Sequence, residues 1–183
     1  MIAKRLAAPP GDAAERAAEH ACRVLDGARS VAVYAPMPGK GELDTLPLVK
    51  RLLAGGVTLA YPRVISRHDP LTFHMAGTAE LRPGTWEIPE PTTDAPKVAL
   101  DHLDAILVPT LVFDEQGNRI GWGAGHYDRT LRAAPQALRV GFAYAFQRAP
   151  EPIPTTPSDE PLDVVVTEEG VLRGPAERQR RSG

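Results

Sequence analysis

The sequence is poor in several features that would each indicate a specialised class of protein. Cys22 is the single cysteine among 183 residues, which excludes an internal disulfide framework and a metal site built from several cysteines. The formal net charge is only −2, which argues against the strongly basic surface that general nucleic-acid binding requires. The apolar runs are too short to span a bilayer, so neither nucleic acid nor membrane is expected as a partner.

The first residues and the overall composition indicate an ordinary globular protein. The stretch MIAKRLAAPPGD lacks the continuous apolar segment of a signal peptide, so we expect a cytoplasmic protein. Hydrophobic residues make up 43% and charged residues 24% of the chain, which is typical of a domain with a packed core. We expect one domain over residues 1–170, acting as a monomer, and a disordered basic tail over residues 171–183.

Hydrophobic periodicity divides the chain into helices and strands. Helices are predicted at residues 12–27, with Asp12 as the cap, at 43–56 and at 126–134. In the second helix, Leu46, Val49, Leu52 and Leu53 are predicted to form the buried face. Buried strands are predicted at residues 30–36, 57–64, 70–77, 103–109, 138–145 and 162–170.

This order of elements predicts an α/β fold. Strand–helix–strand units form parallel sheets with helices packed on the faces, so we expect a layered helix–sheet–helix fold with a mainly parallel central sheet. Ligands of such sheets bind at the carboxyl ends of the strands. Three polar segments follow or precede the strands there, namely MPGKGE at residues 37–42, the long segment 112–128, and TTPSDEP at residues 155–161.

The second of these segments contains glycine at three alternate positions, Gly121, Gly123 and Gly125. Glycine accepts positive φ and allows backbone N–H groups to converge on an anion, here just before a predicted helix. Arg119 adds a planar cation that suits phosphate, while Asp114 is expected to shape the turn before it. The spacing matches neither the dinucleotide fingerprint nor a Walker A loop. Spacing alone therefore leaves both a phosphate cradle and a purely structural hairpin open.

A longer match gives this segment a more specific interpretation. The stretch DAILVPTLVFDEQGNRIGWGAGHYDRTL closely resembles the signature of the 5-formyltetrahydrofolate cyclo-ligase family. The stretches VYAPMPGKGELDT, GTWEIPEP and TTPSDEPLDVVVTEEG extend the resemblance from about residue 31 to residue 170. The resemblance implies a ligase that uses ATP and Mg²⁺ to convert 5-formyltetrahydrofolate into 5,10-methenyltetrahydrofolate, with release of ADP and phosphate.

The resemblance also implies roles for individual residues. Arg119 and Tyr127 are the implied catalytic residues, and Asp128 and Asp159 are the implied Mg²⁺ ligands. The implied ATP-binding residues are Lys4, Arg119, Gly121, Trp122, Gly123, Ala124, Gly125, His126 and Tyr127. The implied folate-binding residues are Met37, Glu42, Trp86, Trp122, Gly123, Ala124, Gly125 and His126. His126 stands where many members of the family have an aromatic residue.

One departure from the family pattern keeps other functions open. The family usually has a Lys-x-x-x-Arg pattern on an N-terminal helix, whereas this chain has AKRLAAPPGD, in which Lys4 or Arg5 could substitute. A second interpretation is therefore a folate-binding regulatory protein without ATP turnover. A third is an α/β enzyme that uses the same loop for a phosphate ester. Arg119, Asp128 and Asp159 favour the active ligase, and Glu42 with Trp86 argues against the third interpretation.

Overall fold

The computed structural model describes residues 1–8 and 11–175. Its helices are α1 (Ile2–Leu6), α2 (Ala13–Val24), α3 (Leu46–Ala54) and α4 (His126–Ala133). Its strands are β1 (Ser30–Ala32), β2 (Thr58–Arg63), β3 (Thr72–Met75), β4 (Arg82–Pro83), β5 (Pro89–Glu90), β6 (Lys97–Val98), β7 (Ala105–Pro109), β8 (Val112–Phe113), β9 (Arg119–Ile120), β10 (Leu138–Phe142), β11 (Val164–Thr167) and β12 (Gly170–Arg173).

Eight of these strands form one twisted sheet in the order β12-β11-β10-β7-β1-β2-β3-β6. The five strands from β11 to β2 are parallel, while β12, β3 and β6 pair antiparallel at the two edges. The prediction of a mainly parallel α/β sheet is therefore confirmed. Two short hairpins, β4–β5 and β8–β9, lie outside the sheet.

The sheet is covered on both faces, as its continuous apolar strands require. Along β7, Ala105 and Leu107 belong to the core cluster that includes α2 and α3. Ile106 and Val108 belong to the opposite cluster, which includes Leu131 of α4. Side chains of a strand alternate between faces, so this division gives the three predicted layers of helix, sheet and helix. None of the helices within the described residues has the length and apolar content needed to cross a bilayer.

The structure corrects the predicted inner face of α3. Leu48, Val49 and Leu52 are buried, whereas Leu46 and Leu53 are exposed. The helix begins at Leu46, three residues later than the sequence suggested, with Pro near its first position. The buried stripe of α3 therefore consists of residues 48, 49 and 52, which lie on one side of the helix because residues three or four positions apart face similar directions.

The predicted boundary between domain and tail is also wrong by a few residues. Residues 170–173 form β12, which pairs with β11 from Val164↔Arg173 to Thr167↔Gly170. Val171 to Arg173 were expected to be disordered, but they complete the edge of the sheet. The rest of the predicted tail from residue 176 lies outside the described residues.

Candidate active site

A cavity of about 380 Å³ opens at the carboxyl ends of the parallel strands. Residues just after or at the ends of β1, β2 and β7 line it, including Tyr34, Pro62 and Pro109. This is the edge at which open parallel sheets bind ligands. The cavity gathers nearly all the predicted site residues, namely Met37, Glu42, Trp86, Arg119, Gly121, Trp122, Gly123, Ala124, Gly125, His126, Tyr127, Asp128 and Asp159.

Lys4 is the one predicted site residue that the structure does not bring to the cavity. It is exposed on α1 and is absent from the residues that line the cavity. The next residue, Arg5, is instead 3% exposed and donates a hydrogen bond from Nη2 to the Thr110 carbonyl at 2.8 Å. On this short helix the buried cation is therefore Arg5, and it supports the segment that follows β7.

The glycine loop forms one side of the cavity. Gly123 has φ of 84° and Gly125 has φ of 69°, a left-handed region that side chains with a Cβ rarely adopt. Gly125 is the N-cap of α4, so the free N–H groups of the first helical turn are adjacent to the loop. These donors and the helix dipole favour an anion at this end of the cavity.

Arg119 and Asp128 form an ion pair beside this loop. Arg119 Nη2 donates to Asp128 Oδ1 at 2.8 Å, and the two side chains are only 6% and 22% exposed. Asp128 Oδ1 also accepts the Glu160 N–H at 3.2 Å. A Cβ on Gly121 would lie 3.0 Å from Arg119 Nη1, so glycine there gives the guanidinium room. The pair holds a cation in a fixed orientation at the phosphate-favouring end.

Asp159 contributes a second carboxylate to the same end of the cavity. Hydrogen bonds from the Thr156 N–H at 2.7 Å and the Thr156 hydroxyl at 3.0 Å lower the pKa of Asp159, and the charge of Arg119 lowers it further. Asp159 is therefore ionised at neutral pH. Two carboxylates with oxygen ligands from phosphate and water are the usual environment of Mg²⁺. Within the described part of the chain, no group of three or more ligand side chains could hold a metal alone.

Glu42 also lines the cavity, where it is hydrogen-bonded to Trp122 of the glycine loop. Glu42 Oε2 accepts the Met37 N–H at 2.8 Å, and Oε1 accepts the Trp122 Nε1–H at 3.2 Å. The ammonium of Lys40 lies 5.7 Å from the centre of the Trp122 ring, within cation–π range. A buried carboxylate beside an indole suits a flat heterocycle that presents N–H donors.

Tyr127, on α4, also lines the cavity. Burial raises the pKa of the Tyr127 phenol, and the negative charge of Glu42 raises it further. Burial raises the pKa of Tyr34 in the same way, with Glu42 again contributing. Both phenols therefore stay protonated at neutral pH, so each is a neutral hydrogen-bonding group and not a base.

Trp86 forms the outer wall on a strained hairpin. It is 59% exposed, and both it and Glu87 have positive φ, of 55° and 59°. Two consecutive non-glycine residues in this region indicate local strain of the kind found at ligand sites. In the same hairpin, burial raises the pKa of Glu90, whose carboxyl group packs against Gly84 so closely that a Cβ there would displace it.

Two residues that sequence reasoning did not assign also shape the site. Arg129 Nη2 donates to the carbonyls of Arg67 and Ala124, each at 2.9 Å, and so ties the glycine loop to the loop after β2. Glu90 supports the hairpin that presents Trp86. The YDR end of the family signature contained Arg129, but Arg67 lies 62 residues before it in sequence, so no local pattern identified the link between the two loops.

The fold and the cavity together define a class of protein. A parallel α/β sheet with an aromatic-walled cavity, a glycine loop, a fixed arginine and two carboxylates at one edge is typical of an enzyme that acts on a small molecule. The comparisons with known proteins then give the family. The 5-formyltetrahydrofolate cyclo-ligase family model matches residues 3–168.

Individual relatives agree with the family model. The chain is 36% identical over 145 residues to the 5-formyltetrahydrofolate cyclo-ligase of Escherichia coli, covering 76% of this chain and 78% of the relative. The structure of Aquifex aeolicus 5,10-methenyltetrahydrofolate synthetase is similar with a TM-score of 0.75 and 33% identity, covering 94% of this chain and 88% of that one.

The structure of a 5,10-methenyltetrahydrofolate synthetase from Mycoplasma pneumoniae has a TM-score of 0.73 at 22% identity, covering 91% of this chain and 93% of that one. At this identity the similarity supports the fold alone. The chain belongs to the 5-formyltetrahydrofolate cyclo-ligase family. The predicted family, and with it the prediction of a ligase of folate metabolism, is confirmed. The third interpretation, a different enzyme class built around a phosphate ester, is not supported.

Proposed function

We propose that this chain converts 5-formyltetrahydrofolate into 5,10-methenyltetrahydrofolate in a reaction that requires ATP and Mg²⁺ and releases ADP and phosphate. One observation carries the proposal. A single cavity joins a carboxylate and two indoles, from Glu42, Trp86 and Trp122, to a glycine loop that begins a helix beside Arg119. The first group suits a folate and the second suits phosphates, so both substrates can meet in one site.

The chemistry needs an activated formyl oxygen. The formyl oxygen attacks the γ-phosphorus of ATP, the bond from that phosphorus to the bridging oxygen breaks, and ADP leaves. Folate N10 then attacks the formyl carbon, its proton is lost, and the phosphorylated oxygen departs as phosphate, which closes the ring. No covalent bond to the protein is required, so the protein acts by positioning the reactants and stabilising charge.

The phosphate end of the cavity supplies that charge stabilisation. Arg119 is already oriented by Asp128, so little reorganisation is needed when negative charge develops on the transferring phosphoryl group. The N–H groups around Gly123 and Gly125 and the first turn of α4 provide further donors. Asp128 and Asp159 are the residues that would hold Mg²⁺, which when bound neutralises charge on the phosphates.

The folate end fixes the reacting group. The Glu42 carboxylate is the acceptor for N–H donors of the pterin ring, and Trp86 and Trp122 provide flat apolar surfaces. The neutral phenol of Tyr127 lines the same cavity and would hold the formyl group by a hydrogen bond. We also propose that the protein is active as a monomer.

The direct test is the absorbance band of 5,10-methenyltetrahydrofolate in the presence of 5-formyltetrahydrofolate. We expect the band to grow only when ATP and Mg²⁺ are both added, and omission of either should abolish it. Binding of the folate without any growth of the band would instead support the regulatory folate-binding interpretation.

Glu42→Gln tests the folate end, with the exposed Glu169→Gln as the matched control. Glu42→Gln removes the carboxylate that holds Met37 and Trp122, so KM for the folate should rise about tenfold or more, as for loss of a charge-assisted hydrogen bond. KM for ATP should change little, and the control should behave as the unmodified protein. An equal rise in both KM values would refute the assignment of separate ends.

A further inference from the structure

His126 occupies an unusual position for a titratable side chain. It is only 7% exposed, lines the cavity, and its ring centre lies 6.0 Å from that of Trp86. Its Nε2 is buried and has no hydrogen-bond partner among residues 1–8 and 11–175. A buried polar atom without a partner costs free energy, so such an atom beside a ligand cavity indicates a group that the ligand completes.

The other ring nitrogen decides which nitrogen bears the proton. His126 Nδ1 lies 3.2 Å from Arg129 Nη2 and 3.3 Å from the Asp69 carbonyl. The guanidinium is always protonated and can only donate, so a proton on Nδ1 would face another N–H at that distance. The Asp69 carbonyl lies 3.4 Å from Arg129 Nε, which can donate to it instead. Nδ1 is thus the acceptor, and a neutral imidazole then bears its proton on Nε2.

Arg129 is itself held firmly in place. Its Nη2 shares its two hydrogens among the carbonyls of Arg67 and Ala124 and the ring of His126. A Cβ on Gly125 would lie 2.7 Å from Arg129 Nη1, so the guanidinium packs directly against the glycine loop. The orientation and the tautomer of His126 are therefore set by a fixed cation on the same helix.

We propose that His126, oriented by Arg129, donates a hydrogen bond from Nε2 to a carbonyl oxygen of the bound folate. This proposal rests on the proposed function and makes His126 a residue that selects the folate ligand. The ring nitrogens of imidazole point in nearly opposite directions, so Nε2 is directed away from the Arg129 contact. Trp86, whose ring centre lies 6.0 Å from that of His126, puts this donor beside an aromatic wall of the folate site.

Calorimetry with three variants tests the hydrogen bond. His126→Phe keeps a ring but removes the donor, His126→Gln keeps an N–H near the Nε2 position, and the exposed His68→Phe is the matched control. Without ATP, His126→Phe should bind 5-formyltetrahydrofolate about tenfold more weakly, the amount for one buried hydrogen bond. His126→Gln should recover most of that loss, and in every variant the affinity for a non-hydrolysable ATP analogue with Mg²⁺ should change much less than the affinity for the folate.

The carbonyl can be identified by comparing 5-formyltetrahydrofolate with 5-formyl-6-methyltetrahydropterin, which lacks the p-aminobenzoylglutamate and therefore its amide. An effect of His126→Phe on both ligands places the bond on the formyl or ring carbonyl, and an effect confined to the folate places it on the amide. Equal folate affinity of His126→Phe and the unmodified protein would overturn the proposal, as would a His126→Gln protein as weak as His126→Phe.

Nuclear magnetic resonance of the ¹⁵N-labelled imidazole gives an independent readout. We expect the His126 signals, assigned by their loss in His126→Phe, to show a protonated Nε2 and an unprotonated Nδ1 in the free protein. A proton on Nδ1 would overturn the proposal. Failure of the proposed function is distinguishable, because in that case the unmodified protein itself would neither bind nor convert the folate.

Discussion

Gly117 and Gly123 lie six residues apart in one segment and have nearly identical φ angles, of 83° and 84°. Their surroundings are opposite. A Cβ on Gly117 would lie 2.3 Å from the Leu162 carbonyl oxygen, whereas a Cβ on Gly123 would have no atom of the described residues within 4 Å. Two glycines with the same positive φ thus serve close packing at one end of the segment and leave open space at the other.

The carboxylates of the segment divide in the same way. Asp114, near Gly117, is buried and accepts hydrogen bonds from the N–H groups of Gln116, Asn118 and Ile153. The prediction that Asp114 shapes the turn is confirmed. Asp128, beyond Gly123, lines the cavity and pairs with Arg119. A hairpin whose turn is held by internal hydrogen bonds therefore leads, after its second strand, into a loop that lines the cavity.

The largest effect is expected at the packed end. Gly117→Ala places a Cβ against the carbonyl oxygen of Leu162. The backbone N–H of Leu162 also donates to the Gly117 carbonyl at 2.8 Å, so the two segments cannot move apart without breaking that hydrogen bond. We expect the free energy of unfolding to fall by roughly 3–5 kcal/mol, measured by denaturant titration. Turnover per folded molecule should be unchanged.

Gly27→Ala is the matched control for that experiment. Gly27 follows α2, has φ of 81°, and has no atom within 4 Å of its added Cβ. This substitution should cost only the strain of a left-handed residue, about 1–2 kcal/mol. If Gly117→Ala lowered the free energy of unfolding no more than Gly27→Ala does, the close packing around Gly117 would contribute nothing beyond that of an open turn.

Arg119→Ala should have the next largest effect, and on rate instead of stability. Loss of a preorganised charge that stabilises the transferring phosphoryl group costs about 3–4 kcal/mol of barrier, roughly a hundredfold to a thousandfold in kcat. The affinity for the folate should be nearly intact. Turnover and melting temperature should be measured on the same sample, with exposed Arg16→Ala as the control. Near-normal turnover in an Arg119→Ala protein with a lowered melting temperature would show that the role of Arg119 is structural.

Gly123→Ala tests the open end directly. Because nothing lies near its added Cβ, we expect a stability loss equal to that of Gly27→Ala, about 1–2 kcal/mol. The methyl group would occupy space that phosphates need and would disturb the N–H groups beside it, so the affinity for Mg-ATP should fall about tenfold or more, as for a lost backbone hydrogen bond to a charged group. Unchanged nucleotide affinity would contradict a phosphate-binding role.

Much of the fold could be predicted because apolar runs are local signals. All six predicted strands exist, since runs such as residues 103–109 are apolar on both sides and fit a buried parallel strand. The two-residue strands of the hairpins and the edge strands β6 and β12 carry too few residues for a periodic pattern. Their positions are determined by pairing with neighbours, which no short window of sequence contains.

The candidate site divides along the same line. Residues with a family match, such as Glu42, Trp86 and Arg119, come together in the cavity as the resemblance implied. The contacts of Arg129 and the unpartnered Nε2 of His126 could not be predicted, because each depends on atoms from segments distant in sequence. Lys4 was the position where the family pattern was weakest, and it is the position that the structure leaves outside the cavity.

The smallest effect is expected from Thr156→Val, which removes one of the hydrogen bonds that lower the pKa of Asp159. A carboxyl group whose pKa is lower in the folded state than in the unfolded state stabilises the fold at pH values above the unfolded-state pKa. That stabilisation is lost as the pH falls through the folded-state pKa. Because Asp159 is exposed, stability at neutral pH should change by less than about 0.5 kcal/mol. The hydrogen bond from the Thr156 N–H remains, so the pKa of Asp159 should rise only part of the way to the ordinary value of an aspartate.

Activity at low pH is the sensitive readout of Thr156→Val. If ionised Asp159 holds Mg²⁺, the acid limb of the pH–rate profile at limiting Mg²⁺ should move to higher pH, and saturating Mg²⁺ should reduce the shift. Thr92→Val is the matched control, because Thr92 lowers the pKa of Asp94, which is exposed and does not line the cavity. The control should leave the acid limb in place. An unshifted limb in Thr156→Val would remove Asp159 from the proposed metal site and leave Asp128 as its protein ligand.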